Sequence, residues 1–189
     1  ISEFDETFVL ESNKGTKFSE DAPRKPRRHG AKAQSRGISS EWIAICTGIQ
    51  RDGDALASTV NRAKPSKEEL KEIFSGSIQP GTLALTDGLR SYNVFQELNI
   101  CSVKDVTKEE GSFYNLNTVN SMHSYIKKTY NQYRGVATKY INRYNAMFSL
   151  AFRSSNELAS NLLASLCNTS TYQYWHSTTD VKKCGLLAI

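Results

Sequence analysis

EWIAICTGIQRDGDALASTVN, residues 41–61, is the stretch that decides how the chain folds. Glu41 to Ile49 is an apolar, strand-like run. Arg51-Asp52-Gly53-Asp54 is turn chemistry, and Asp-Gly is a strong hairpin signal. Ala55 to Asn61 then returns as the partner strand. Before this hairpin lies ISEFDETFVL, residues 1–10, whose alternation suits another strand. Phe4, Glu6, Phe8 and Leu10 would share one face and Asp5, Thr7 and Val9 the other. Glu6 is therefore expected to point away from Asp5 and to be a poor partner for it.

After the hairpin the pattern alternates. Ser66 can cap a helix over 67–75, with Glu69 completing a capping box and Leu70, Ile73 and Phe74 forming its buried stripe. Pro80-Gly81 is a turn, and Thr82 to Thr86 is a short strand running into Asp87 and Gly88. A helix over 90–97 and a strand from Ile100 to Val103 follow, then a polar connection over 104–115. A helix from Thr118 to Tyr133 would bury Val119, Met122, Ile126 and Tyr130. A second, over 136–153, would turn Tyr140, Ile141, Tyr144, Met147, Phe148 and Ala151 inward, and a third is expected over 156–166. A hairpin followed by alternating strands and helices implies an α/β fold, a mixed sheet with helices packed on it.

The 189 residues suit one domain, and no apolar run is long enough to span a membrane. The chain opens at Ile1 already in strand-like sequence, so a further domain is expected upstream. Cys46, Cys101, Cys167 and Cys184 form no C-x-x-C pair, which argues against a zinc site and for reduced thiols in a cytosolic setting.

The net charge of +5 is compatible with a polyanionic partner, and its distribution says more. Residues 12–37 hold eight Lys or Arg and two acids, including Arg24, Lys25, Arg27 and Arg28. Residues 111–156 contain no Asp or Glu but hold six tyrosines with Lys127, Lys128, Arg134, Lys139, Arg143 and Arg153. Such interleaving suits contact with nucleic-acid phosphates and bases, and equally a solvated basic face with Tyr stems in a core.

Asp5 on the first strand and Asp87 at the end of the fourth are the candidate metal ligands, because buried acids need a cation and carboxylates suit Mg²⁺ or Mn²⁺. Either could instead be a cap or turn residue. Asn120 stands 33 positions after Asp87 at a helix start, and Lys127 follows two turns later on the same face. That strip could face a site or water. His123, between strip and apolar stripe, reads as a satisfied, half-buried histidine.

Four segments in order carry a resemblance: DETFV (Asp5 to Val9), PGTLALTDGLRSYN (Pro80 to Asn93), LNTVNSMHSYIKK (Leu116 to Lys128) and YRGVATKYINRYN (Tyr133 to Asn145). Together they resemble bacterial insertion-sequence transposases of the ISXO-like branch, relatives of the eukaryotic Merlin elements, from Asp5 to about Phe152. The resemblance implies a ribonuclease-H-like catalytic domain over 1–153 and a C-terminal helix and tail over 154–189. It also implies an upstream domain that recognises element ends. Its catalytic set would be Asp5, Asp87 and Asn120 with Lys127, holding two Mg²⁺ or Mn²⁺ ions for nicking at element ends and transfer of the freed 3′-hydroxyl into target DNA. DNA and further copies of the chain would be the partners, in the bacterial cytoplasm at the nucleoid. Many related transposases carry Glu where this chain has Asn120, and a neutral carbonyl holds a metal more weakly. A decayed, non-enzymatic DNA-binding or assembly protein, or another ribonuclease-H-like nuclease, are the alternatives.

Overall fold

The computed structural model describes residues 1–15, 33, 35–51, 53–97, 101–106 and 113–151. The basic cluster Arg24 to Gly30 and the helix expected over 156–166 lie outside them. The strands are β1 (Ser2–Leu10), β2 (Trp42–Gln50), β3 (Ala55–Arg62), β4 (Thr82–Thr86) and β5 (Cys101–Asp105). The helices are α1 (Lys67–Phe74), α2 (Val94–Glu97), α3 (Asn117–Gln132) and α4 (Ile141–Ala151). A 3₁₀ turn at Arg90–Asn93 leads into α2, and another at Thr138–Tyr140 leads into α4, where the sequence suggested one helix from 136.

The strand order is β3-β2-β1-β4-β5. β1 pairs antiparallel with β2, and β2 with β3, while β4 joins β1 in parallel and β5 joins β4 in parallel. Three antiparallel strands followed by two parallel ones, with helices on both faces, make a ribonuclease-H-like sheet. β5 runs through Asp105, two residues past its expected end and into the stretch read as a polar connection.

Strand alternation sorts the core into two layers. On one face Ile43, Ile45 and Ile49 of β2 meet Val119, Met122, Ile126 and Tyr130 of α3 and Ile141 and Phe148 of α4. On the other, Phe4 of β1 meets Leu70 and Phe74 of α1 and Tyr92, Val94 and Phe95 around α2. Gly48 is required here, since a Cβ would come within 2.7 Å of the Phe4 ring. The α1 cap forms as its sequence indicates: Ser66 Oγ accepts the Glu69 N–H, and the Glu69 carboxylate accepts the Ser66 N–H.

α4 departs from its expected face. Met147 is 41% exposed, whereas Asn145 is fully buried. The cause is the edge of β3, whose outward N–H groups need acceptors. Asn142 Oδ1 accepts the Thr59 N–H at 2.8 Å, and Ser149 Oγ accepts the Ala57 N–H at 2.9 Å. The helix therefore turns polar side chains toward the sheet edge, and its apolar stripe is displaced.

Candidate active site

Asp5 lies on the α3 side of β1, as alternation predicts, and Asp87 follows directly after β4. Pairing between β1 and β4 is confined to Ser2↔Ala84 and Glu3↔Leu85. Beyond Glu3, no strand among the described residues pairs with that edge of β1. Carboxylate oxygens of Asp5, Glu6 and Asp87 come within 4.8 Å of one another there. The expectation that Glu6 is a poor partner for Asp5 is thus corrected. Their side chains do leave opposite faces of β1, but both carboxylates reach around its unpaired edge toward Asp87.

Local hydrogen bonds aim each acid. Asp5 Oδ1 accepts the Glu6 N–H at 2.9 Å, and Glu6 Oε2 accepts the Tyr92 hydroxyl at 3.1 Å. Asp87 Oδ1 accepts the Leu89 N–H at 2.9 Å in an Asx turn, which Gly88 permits by taking φ +84°. Among the described residues none of the three acids is paired with a Lys or Arg. Burial, helped by the Asp87 charge, raises the Asp5 pKa to about 6. Burial and the charges of Asp5 and Asp87 raise that of Glu6 to about 7. An under-neutralised cluster of hard oxygen donors fits a divalent cation.

α3 packs over the Asp5 face of β1. Its N-terminus is fixed by Glu3, which is fully buried and whose importance the sequence reading missed. Glu3 Oε2 accepts the Val119 N–H at 3.0 Å, and Oε1 accepts Thr118 Oγ1 at 3.0 Å and Arg51 Nε at 2.7 Å. A carboxylate at a helix N-terminus satisfies an otherwise unpaired N–H and suits the helix dipole. Arg51 also donates to the carbonyls of Phe113 and Asn115, which fixes the approach to the helix. This cap belongs to a distant strand, so no local capping pattern could reveal it.

α3 meets Asp5 through His123 and the charge of Lys127. His123 is buried beside Asp5, not half-buried as expected. The Lys127 charge is felt by Asp5, whose pKa it lowers against the larger effect of burial. Asn120 and Lys127 are exposed one turn to either side of His123. The structure therefore unites Asp5 and Asp87, adds Glu6, and leaves Asn120 exposed outside that cluster.

Of the expected DNA contacts, Lys127, Lys128, Arg134 and Lys139 are exposed and Arg143 partly so, whereas Arg24, Lys25, Arg27 and Arg28 lie outside the described residues. Lys139 Nζ and Arg143 Cζ lie 5.1 and 5.4 Å from the Tyr140 ring centre. The root of the 12–37 loop is pinned to the turn between α3 and α4. Ser12 N donates to Thr138 Oγ1 at 2.8 Å, Thr138 N donates to the Ser12 carbonyl at 2.8 Å, and Lys14 Nζ donates to the Gly135 carbonyl at 3.2 Å. No helix among the described residues is long and apolar enough to cross a membrane.

A ribonuclease-H-like sheet with acids gathered midway along β1 and just after β4 defines the class of fold and site. The particular family follows from comparison: residues 2–154 match the ISXO2-like transposase domain, and the chain belongs to that family. No curated protein and no solved structure matches it.

Proposed function

We propose that this chain is the catalytic domain of a DNA transposase that nicks element ends and joins the freed 3′-hydroxyl to target DNA. The observation that carries the reading is the cluster of Asp5, Glu6 and Asp87, unpaired by any Lys or Arg among the described residues, in a chain of this family. Asp5 and Asp87 would hold the metal, with Glu6 in reach and Asn120 of α3 offering a neutral carbonyl. Bound there, Mg²⁺ or Mn²⁺ ions supply a nucleophile from water or hydroxyl and stabilise the leaving oxygen of an in-line displacement. Lys127 would hold the scissile phosphate as a point charge.

The basic residues extend this site into a DNA track. Lys127 and Lys128 sit midway along α3, and Arg134 and Lys139 lie on the turn beyond it. The root of the basic 12–37 loop meets that same turn through Ser12 and Thr138. The root of that loop and the basic residues of the turn thus lie together just beyond the C-terminal end of β1. Contacts of this kind position a duplex without reading its sequence. Assembly of two or more copies on DNA is part of the proposal.

The test is cleavage and strand transfer on element-end DNA with Mg²⁺ or Mn²⁺, for wild type, Asp5→Ala and Asp87→Ala. We expect both variants to lose more than about 100-fold in nicking, because removal even of groups supporting a ligand costs roughly 10–100-fold. Nicking without joining would point to a different ribonuclease-H-like nuclease. DNA binding with no reaction in any variant would identify a decayed, non-enzymatic relative.

A further inference from the structure

α4 carries an aromatic surface that the core only partly covers. Tyr140, Arg143, Tyr144 and Met147 are spaced so that they share one helical stripe. They line an open groove of 340 Å³. Met147 is exposed there, as is Tyr133 beside it, while Tyr140 and Tyr144 are half-buried. Large apolar and aromatic side chains left at a surface in one patch point to a ligand more than to packing.

The rings of this patch are held in place. The Tyr144 ring centre lies 5.3 Å from that of Tyr133 and 6.2 Å from that of Tyr130. Tyr130 is itself buried, and its hydroxyl donates to Asn145 Oδ1 at 3.1 Å. Lys139 and Arg143 both lie within cation–π range of the Tyr140 ring. Residues 113–151 hold no Asp or Glu, so no acid of α3 or α4 opposes an anion at the groove. The ligand that answers these features has a flat π face and a negative charge, and a nucleotide has both. Duplex DNA keeps its base faces stacked inside and offers phosphates, for which cations alone would serve. An aromatic floor with a cationic rim is the arrangement that takes unpaired nucleotides. The volume lies at the small end for ligand sites, with room for one flat ring system and not for a docked helix roughly 10 Å across. The groove also continues the DNA track, since Thr138, just before Lys139 and Tyr140, anchors the root of the 12–37 loop through Ser12.

We propose that the groove of Tyr140, Tyr144 and Met147 stacks an unpaired base of a DNA strand, with Arg143 and Lys139 on its phosphates. This rests on the DNA reading of the chain but not on the metal. The domain would then hold a single-stranded or frayed segment beside the duplex that its other basic residues position.

The test is fluorescence anisotropy of the full chain without metal, using labelled oligothymidine, a duplex of the same length and an abasic strand of the same length. Wild type should bind oligothymidine at least about fivefold more tightly than the abasic strand. Tyr140→Leu keeps apolar bulk but has no ring. It should lose at least about fivefold on oligothymidine and less than about twofold on the duplex and the abasic strand. Its salt dependence should be unchanged, whereas Arg143→Gln should lower the slope of log affinity against log salt by about 0.7 on the single strand. Melting curves establish that Tyr140→Leu is folded, and the wild-type comparison with the abasic strand decides the matter if it is not. Equal wild-type affinity for oligothymidine and the abasic strand would overturn the proposal, as would an equal loss by Tyr140→Leu on all three. So would light scattering that shows Tyr140→Leu splitting an oligomer with oligothymidine binding intact, which would give the groove to a second copy. Each of these results leaves the metal-dependent reaction at Asp5 and Asp87 standing, and an absence of binding to any of the three DNAs would remove both readings.

Discussion

Glu3 and Asp5 stand two residues apart on one face of β1, under one helix, yet they are treated in opposite ways. Glu3 is fully buried and satisfied by a guanidinium, a hydroxyl and a backbone N–H. Asp5, with Glu6 and Asp87, is crowded by like charge and partnered by no Lys or Arg among the described residues. The first arrangement holds α3 to the sheet. The second stores electrostatic strain where β1 and β4 part. A buried acid with a complete set of partners reads as structure, and one left incomplete reads as a site for something the chain itself lacks.

Substitution should separate the two. Asp87→Asn should abolish nicking, by more than about 100-fold, while leaving the melting temperature of the metal-free chain level or higher. Glu3→Gln should do the reverse in stability. Breaking a buried pair costs about 3 kcal/mol, and a domain of this size loses roughly 2–4 °C per kcal/mol. Its melting temperature should therefore fall by roughly 6–12 °C, as a thermal melt followed by circular dichroism will show. A stable Glu3→Gln would erase the distinction.

Gly88→Ala probes the cluster through its backbone. Gly88 sits at φ +84°, where a Cβ costs roughly 1–2 kcal/mol, so both stability and metal affinity should drop. Calorimetry and melting on the same sample measure the two effects together.

The pH dependence sharpens the contrast further. The Asp5 pKa is raised from 3.8 to about 6 and that of Glu6 from 4.5 to about 7, so the folded state binds more protons than the unfolded one between those values. The cluster's contribution to stability is therefore fully present below about pH 4, is lost as pH rises toward 7, and is flat above that. Melts of the metal-free chain from pH 4.5 to 7.5 should carry this downward slope, and Glu6→Gln should reduce it. Saturating Mn²⁺ at pH 7.5 should restore the lost stability.

The smallest effect is expected along the DNA track. Lys128→Ala should weaken DNA binding several-fold and lower the slope of log affinity against log salt by about 1. Its fold and metal affinity should be unchanged.

Most of the sheet was legible because alternation and turn chemistry are local signals. The Asp-Gly hairpin, the Ser66 cap and the β4 strand running into Asp87 all appear where the sequence indicates. Three features were not legible, for one shared reason: each depends on what a distant element needs. Asn142 and Ser149 turn toward the sheet because edge strand β3 needs acceptors, with Asn145 buried beside them, which apolar periodicity cannot register. Glu3 caps a helix more than a hundred residues away. Glu6 joins Asp5 because β1 and β4 part, and strand alternation alone gives no account of where pairing ends. Asp5 and Asp87 come together as their strand positions suggested, but the packing of His123 against Asp5 and Thr47 joins α3 to two strands and has no local signal.

The central claim is that Asp5 and Asp87 form one metal site, and Mn²⁺ calorimetry on the chain with element-end DNA tests it most directly. The account predicts a saturable heat in wild type that disappears in both Asp5→Ala and Asp87→Ala while each variant stays folded. Equal Mn²⁺ affinity in wild type and the two variants would contradict it.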